Sequence, residues 1–227
     1  MNSALWVAKT GLDAQQSRMS VVSNNLANVN TTGFKKGRAS FEDLLFQHVK
    51  QVGAPTSQQT DSPTGLSLGT GVRVGATEKT FAQGNLQQTS NPLDLAINGR
   101  GFFQVLLPDG TAAYTRDGSF QISATGDLVT SNGYAVQPGI NIPDGAQTLT
   151  VGSDGTVAVQ FAGESQPQQV GTLQITDFVN PAGLQPQGNN LFTESGSSGP
   201  PQTGTASLNG PGSVPYTPLT LPTIPTG

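Results

Sequence analysis

The first thirty-six residues constrain the fold most, because their apolar residues recur at alternating spacings of three and four. Seven of the eight a and d positions of a heptad pattern are apolar, and Gln15 takes the remaining one. The apolar positions are Leu5, Ala8, Leu12, Met19, Val22, Leu26 and Val29. This pattern predicts one long helix with a narrow apolar stripe, like the seam of a coiled coil. A helix that buries one stripe is marginal alone, so the stripe needs a partner, either in this chain or on another copy.

The helical pattern stops after Asn28, where Asn30-Thr31-Thr32-Gly33 has the composition of a turn. Gly33 permits a positive φ just past the helix, and Phe34 follows where a hydrophobic contact back to the helix is common. Side-chain amides near this end are able to bond the backbone or a neighbouring chain. They belong to Asn24, Asn25 and Asn28.

Beyond residue 70 the sequence is typical of antiparallel β-structure. Only 11% of the residues are charged and the chain holds 29 Gly and 16 Pro, which fits a turn-rich surface rather than a helical enzyme. Turn signals recur every 6–12 residues, a spacing typical of short antiparallel strands. They lie at Asp109-Gly110, Asp117-Gly118, Gly126-Asp127, Asn132-Gly133, Asp144-Gly145 and Asp154-Gly155. We predict a mainly β fold, an antiparallel sandwich or barrel-like domain with a long N-terminal amphipathic helix.

Strand signals fill the intervals between these turns. Leu93, Leu95 and Ile97 alternate as in a half-buried strand, and residues 102–107 are apolar enough for a buried one. Further strands are predicted over residues 111–115, 148–151, 156–161 and 170–178.

Composition divides the chain into four parts. Residues 1–36 hold the helix and its turn, 37–69 an extended loop or linker, 70–195 the β-rich domain, and 196–227 a tail rich in Gly, Ser and Pro. Residues 51–70 are polar, which predicts a flexible loop that packs between subunits in an assembly. Prolines exclude a helix from the last seventeen residues and predict a disordered, extended tail. They are Pro211, Pro215, Pro218, Pro222 and Pro225.

Three blocks resemble the rod and hook family of bacterial flagellar axial proteins. The longest is SNNLANVNTTGFK at residues 23–35, the second covers 80–87 and 89–105, and the third 180–184 and 190–194. The segment FEDLLFQ at residues 41–47 is most similar to the distal-rod members of that family. The resemblance holds over residues 1–210 and then breaks, because the family's second long helix has no counterpart in the proline-rich end. We therefore expect a truncated or frame-shifted product, and the less favoured alternative is a variant whose partner helix comes from other subunits.

The resemblance implies a structural subunit of the distal rod of the flagellar basal body, which self-assembles helically into a hollow drive shaft joining motor to hook. It implies no enzymatic activity and no cofactor or metal. The implied partners are copies of itself, other rod and hook-side proteins, and the surrounding ring proteins. Export is expected to use the flagellar type III pathway, without a cleaved signal peptide. The implied assembly interface comprises Leu5, Ala8, Leu12, Met19, Val22, Asn24, Asn25, Leu26, Asn28, Val29, Gly33 and Phe34.

Charge and hydropathy exclude several other classes. All ten Lys and Arg lie at or before Arg116, where the net charge is +3, and the remainder carries −7. The first part is not basic or aromatic enough to predict nucleic-acid binding. No apolar run approaches the 20 residues that predict a membrane span, and the chain has no cysteine.

The alternatives are a proximal-rod or hook protein of the same family, a β-rich secreted binding module and, least favoured, a cell-wall hydrolase. A hydrolase needs paired carboxylates such as Asp94 with Asp109 or Asp117. A metal site needs a cluster such as Asp109, Asp117 and Asp127, but each of these lies beside a glycine in a turn. His48 is the single histidine, and we predict that it is a solvated surface residue.

Overall fold

The computed structural model describes residues 3–50, 55–57, 60–61, 64–87, 89, 91–152, 154–163, 166–205, 217–218 and 221–223. The chain divides into two compact units. Unit 1 comprises Met1–Ala27 and Lys36–Thr80, and unit 2 comprises Asn28–Lys35 and Phe81–Gly227. The chain therefore leaves unit 1 for eight residues after its helix and then returns.

Unit 1 begins with helix α1, Ser3–Ala27, which confirms the predicted helix. The helix ends at Ala27, one residue before the predicted end at Asn28. The rest of the unit is a two-stranded antiparallel ribbon in three successive pairs of strands. The strands are β1 Gly37–Asp43, β2 Phe46–Lys50, β3 Pro55–Ser57, β4 Thr60–Asp61, β5 Leu66–Gly69 and β6 Val72–Lys79. β1 pairs with β6, β2 with β5, and β3 with β4. The ribbon therefore extends from the residue pair Gly37–Lys79 at one end to the pair Ser57–Thr60 at the other.

The linker predicted over residues 37–69 is wrong where the structure describes these residues, because they form strands of the ribbon. Every described side chain of β2 and β5 is exposed. Strands with two solvated faces need no alternation of apolar and polar residues, so burial imposes no strand period on β2 and β5. The predicted packing of residues 51–70 between subunits falls partly on 51–54, 58–59 and 62–63, which lie outside the described residues.

Unit 2 contains a nine-stranded antiparallel sheet and smaller ladders. The strands are β7 Asn85–Gln87, β8 Leu95–Ala96, β9 Phe102–Leu106, β10 Ala112–Thr115, β11 Phe120–Ile122, β12 Leu128–Thr130, β13 Ala135–Gln137, β14 Ala146–Val151, β15 Thr156–Phe161, β16 Gln168–Thr172, β17 Gln174–Asp177, β18 Gln185–Gly188, β19 Leu191–Thr193, β20 Gln202–Thr205, β21 Thr217–Pro218 and β22 Leu221–Thr223, with a 3-10 turn at Pro181–Gly183. The path of the large sheet is β11-β12-β13-β9-β10-β19-β18, and β17 joins β20 to β9. A three-stranded sheet has the order β14-β15-β16, and two-stranded ladders pair β21 with β8 and β22 with β7.

The core of unit 2 lies on both sides of β9. Neighbouring side chains on a strand point to opposite faces, and both Phe102 and Phe103 are fully buried. Phe103 packs edge-to-face on Phe120 with ring centroids 5.0 Å apart, in a cluster with Val105, Leu173 and other aliphatic residues. Phe102 belongs to a second, aromatic cluster, which also holds Tyr114, Phe178, Leu184 and Phe192. The predicted β-rich domain is thereby confirmed as mainly β with antiparallel pairing.

The predicted Asp–Gly turns also close hairpins in the structure. Gly110 donates its backbone N–H to Leu107 at 2.9 Å, and Gly155 donates to Gly152 at 3.0 Å. Asp109 accepts from the backbone and the hydroxyl of Thr111, which lowers the pKa of that carboxyl, chiefly through the hydroxyl bond. Aspartate therefore fixes these turns locally, as its preference for turns predicts.

The tail predicted from residue 196 is wrong for its first ten residues. Gln202–Thr205 pairs antiparallel with β17, and Ser198 is fully buried and donates its hydroxyl to Ser195 at 2.8 Å. Backbone ladder bonds suffice for such an edge strand, so its polar composition resembled that of a linker. Much of the remaining proline-rich segment, 206–216, 219–220 and 224–227, lies outside the described residues. Among the described residues, the helices include none with the length and hydropathy that a membrane crossing requires.

Candidate assembly interface

The apolar stripe of α1 faces solvent. Leu5, Leu12, Met19, Val22 and Leu26 each expose between 50% and 72% of their surface, and Ala8 and Gln15 are exposed with them. The stripe runs from residue 5 to residue 26, which is about 32 Å of helix at 1.5 Å per residue. Within the described residues of unit 1, the stripe is thus an apolar surface that the chain itself leaves uncovered.

The opposite face of α1 packs on the ribbon and is built from small and polar side chains. Ala14 is the buried residue of the helix, and Thr10 and Asn25 are half-buried on the same side. The Thr10 hydroxyl accepts from the Val72 backbone at 3.4 Å. The Asn25 amide donates to the Gly37 carbonyl at 2.9 Å and accepts from the Gly37 N–H at 2.8 Å. Asn25, predicted as an interface residue, therefore joins α1 to β1 within one chain.

The turn after α1 is anchored inside unit 2. The Asn190 amide donates to the Thr32 carbonyl at 2.7 Å, and Thr115 in turn holds Asn190 by donating its hydroxyl to the Asn190 carbonyl at 3.0 Å. Gly33 is buried with φ +71°, and a Cβ built there would lie 2.7 Å from the Asp117 nitrogen. Glycine is thus required twice at this position, for its backbone angle and for the lack of space.

Two buried cations follow the turn. The Lys35 ammonium donates to the Ala82 carbonyl at 2.9 Å, and burial, together with the nearby charge of Arg116, lowers the pKa of Lys35 to about 8. Burial also lowers the pKa of Arg116 to about 10, although the Asp177 carboxylate opposes that shift. The Arg116 guanidinium lies 5.2 Å from the ring centroid of Phe102. The Arg116 Nε is buried without a hydrogen-bond partner among the described residues.

The structure therefore separates the predicted interface residues into two groups. The first group comprises the stripe residues of α1 and Asn24, which are all exposed on the helix. Val29 lies beyond the helix end, so it is not part of the helical stripe, and Asn28 and Phe34 are half-buried in unit 2. Gly33 is buried within unit 2 and offers no surface to a second chain.

The remaining candidate residues serve local structure. His48 is exposed, and its Nδ1 lies 2.7 Å from the Ser67 hydroxyl. Asp94 accepts from Thr89 and Asn91, and Asp127 accepts from Thr125 and Asn141. In the part of the chain that the structure describes, no group of three His, Cys, Asp or Glu residues is placed to hold a metal ion.

Sequence reasoning missed the exposed apolar residues of the ribbon and the residues that anchor the turn. Leu45 exposes 88% of its surface, and Phe46, Val49, Leu66 and Leu68 are also exposed. The clustering of leucine and phenylalanine at residues 44–46 is the one signal that marks this site in the sequence. Asn190 and Arg116 carry no such signal, because they lie far along the chain from the turn that they contact.

Parts of both units match models of known protein families. A family model described as flagella basal body rod protein matches residues 5–35, and one described as flagellar hook protein FlgE/F/G D1 domain matches residues 96–159. The flagellar basal-body rod protein FlgG of Buchnera aphidicola subsp. Schizaphis graminum is 53% identical over 93% of this chain and 82% of its own length. The chain belongs to the flagellar basal-body rod protein family.

Other relatives agree with this family. The rod protein FlgG of Borreliella burgdorferi is 46% identical over 88% of this chain and 76% of its own length. The flagellar hook protein FlgE of Helicobacter pylori is 44% identical, but over 68% of this chain and 21% of its own length. The predicted resemblance to flagellar axial proteins is confirmed, and the rod protein matches far more of the chain than the hook protein does. The family model at residues 5–35 spans both the stripe and the anchored turn.

Replacing Gly33 by alanine tests the anchoring of the turn. Gly133→Ala is a matched control, because Gly133 has φ +83° but open space where the Cβ would lie. We expect Gly133→Ala to lower the free energy of unfolding by about 1 kcal/mol through the backbone alone. Gly33→Ala should lower it by a further ~1–3 kcal/mol, since the Asp117 backbone must move. Urea unfolding of both variants measures the difference, and equal losses would contradict the buried placement of Gly33.

The lowered pKa of Lys35 predicts a pH dependence of stability. The unfolded chain binds the Lys35 proton up to about 10.5, the folded chain only up to about 8, so the free energy of unfolding should rise between pH 8 and pH 10.5. Lys35→Met should remove this rise and leave that of the other groups. Urea unfolding of both proteins across this range isolates the contribution of Lys35. Parallel pH profiles would contradict the buried, charged state of Lys35.

Proposed function

We propose that this chain is a structural subunit of the distal rod of the flagellar basal body. Copies stack helically into a hollow shaft that joins the motor to the hook, with the α1 stripes in contact between neighbouring chains. The observation that carries the proposal is the uncovered stripe on α1, in a chain that belongs to the rod protein family. Exposed apolar surface of this extent marks an interaction site in a soluble protein.

The composition of α1 supports contact between helices. Leu5, Leu12, Met19 and Leu26 recur every seven residues and supply large apolar side chains, whereas Ala8 is small enough to allow close approach. A polar residue at one core position sets the register of paired helices, and we assign that role to Gln15. When the two patches in such a contact differ, the contact repeats without closing and generates a filament.

The exposed ribbon supports a second layer of contacts. An isolated two-stranded ribbon is marginally stable in water, yet this one presents Phe46, Val49, Leu66 and Leu68 to solvent. We propose that neighbouring subunits cover it, and that residues 51–70 stiffen the shaft by packing between them.

Partners and location follow from the same proposal. The chain contacts other rod and hook-side proteins at the ends of its segment and ring proteins around it, and it reaches the basal body by type III export without a cleaved signal peptide. We assign it no catalytic role. The candidate carboxylates Asp94, Asp109 and Asp127 are hydrogen-bonded within their own turns, which supports a structural role for each.

Replacing a stripe residue by a charge tests the assembly role in the source bacterium. Leu12→Glu should abolish swimming and leave basal bodies without a complete rod, because a carboxylate cannot be buried in an apolar seam without a partner. Ser20→Glu places the same charge on α1 outside the stripe and should leave swimming intact. Soft-agar motility and electron microscopy of basal bodies report the outcome.

A folding defect is separated from an assembly defect on the purified chain. Because Leu12 is 72% exposed, Leu12→Glu should leave the far-ultraviolet circular dichroism and the thermal unfolding midpoint close to those of the wild type. Wild-type motility of the Leu12→Glu strain would contradict the proposed function.

A further inference from the structure

Unit 1 carries an exposed apolar projection that includes an acidic residue. Elsewhere in the same unit lies an apolar groove lined in part by basic residues. The projection consists of Asp43, the last residue of β1, and of Leu44 and Leu45, which connect β1 to β2. We propose that the projection of one copy docks into the groove of a second copy and that this head-to-tail contact repeats along the assembly. The inference rests on the proposed function, because it specifies how neighbouring subunits contact each other.

Hydrogen bonds fix the backbone of the projection, whereas the Leu45 side chain is exposed to solvent. The Leu44 N–H donates to the Gly71 carbonyl at 2.9 Å, and the Thr70 hydroxyl donates to the Leu45 carbonyl at 2.6 Å. Leu45 nevertheless exposes 88% of its surface, the highest value of any large apolar residue that the structure describes. A rigid backbone that presents an exposed leucine loses little conformational entropy on binding.

The groove lies between the last turns of α1 and the start of β1 and has a volume of about 440 Å³. Its apolar lining comes from Val21 and Val22 on the helix and from Ala39 and Phe41 on the strand. This volume lies in the range of pockets that hold small ligands, so a leucine and its neighbours fit within it. Val22 also belongs to the α1 stripe, so the groove continues the surface already assigned to assembly.

Charge complementarity identifies the occupant as a second copy. Arg18 and Lys36 line the groove and form no ion pair with any described residue. On the projection, Asp43 likewise forms no ion pair among the described residues, whereas the adjacent Glu42 is engaged by Arg73 at 2.8 Å. An acid beside an exposed leucine thus matches a basic rim around an apolar groove. Such rim charges fix the register of a contact more than they tighten it.

The geometry of one chain prevents the projection from filling its own groove. The projection lies level with Thr10, because Leu44 bonds Gly71 and Gly71 abuts the Thr10 side chain. The groove lies level with Val22, twelve residues further along α1, which is about 18 Å of helix. A second copy displaced along the helix axis brings its projection to the groove. Because the two patches differ, the contact repeats without closing.

Cysteine crosslinking tests the contact directly, since the chain has no native cysteine. In the full chain carrying Leu45→Cys and Val22→Cys, mild oxidation should give a ladder of covalent dimers, trimers and longer species that a reductant collapses. The matched control carries Leu45→Cys and Val179→Cys, because Val179 is equally accessible, at 71%, but does not line the groove. We expect the control to give dimers at most.

Charge reversal tests the register of the same contact. Asp43→Lys in the crosslinking variant should reduce the ladder several-fold, and adding Arg18→Glu and Lys36→Glu should restore it. Three results overturn the proposal: a ladder no longer than that of the control, dimers alone, or a ladder insensitive to Asp43→Lys. If the ladder fails while Leu12→Glu still abolishes rods, this contact is wrong and the proposed function stands.

Discussion

The two faces of α1 make different contacts, and the structure depends on this difference. The helix packs on its own ribbon through Thr10, Ala14 and Asn25, which supply a small contact and hydrogen bonds rather than a hydrophobic core. The large apolar side chains of the stripe face solvent instead. Hydrophobic burial is the main favourable term in association as well as in folding, so the large apolar side chains of α1 remain available for contact with another molecule. In the proposed rod, burial of this apolar surface between chains drives assembly.

The turn after the helix has a different role from the stripe, although the two are continuous in sequence. Residues Asn28–Lys35 belong to unit 2, where Asn190 bonds Thr32 and the Asp117 backbone closes on Gly33. The turn is thus an internal anchor of the chain. Burial of Lys35 and Arg116 beside it is costly for both charges, as their lowered pKa values indicate.

The sequence predicted the elements whose residues repeat with a clear period. The heptad pattern located the C-terminal end of α1 to within one residue, and the turn signals located most strands of unit 2, including Thr156–Phe161 with both bounds correct. The ribbon of unit 1 was missed. Every described side chain of β2 and β5 is exposed, so burial imposes no apolar alternation on that part of the ribbon. The sequence predicted that the stripe needs a partner but left open whether this chain supplies it, and the structure shows the stripe exposed. The anchoring of Gly33 was not predicted, because its contacts lie about 80 residues and more along the chain.

In the proposed rod, neighbouring chains cover the α1 stripe, which is exposed in the isolated chain. Met19 lies within the stripe and exposes 64% of its surface, so it reports on this change without any substitution. Oxidation of Met19 by dilute peroxide, followed by mass spectrometry, compares the purified chain with rods isolated from basal bodies. We predict rapid oxidation in the free chain and strong protection in the rod. Equal oxidation rates in the two states would contradict the account.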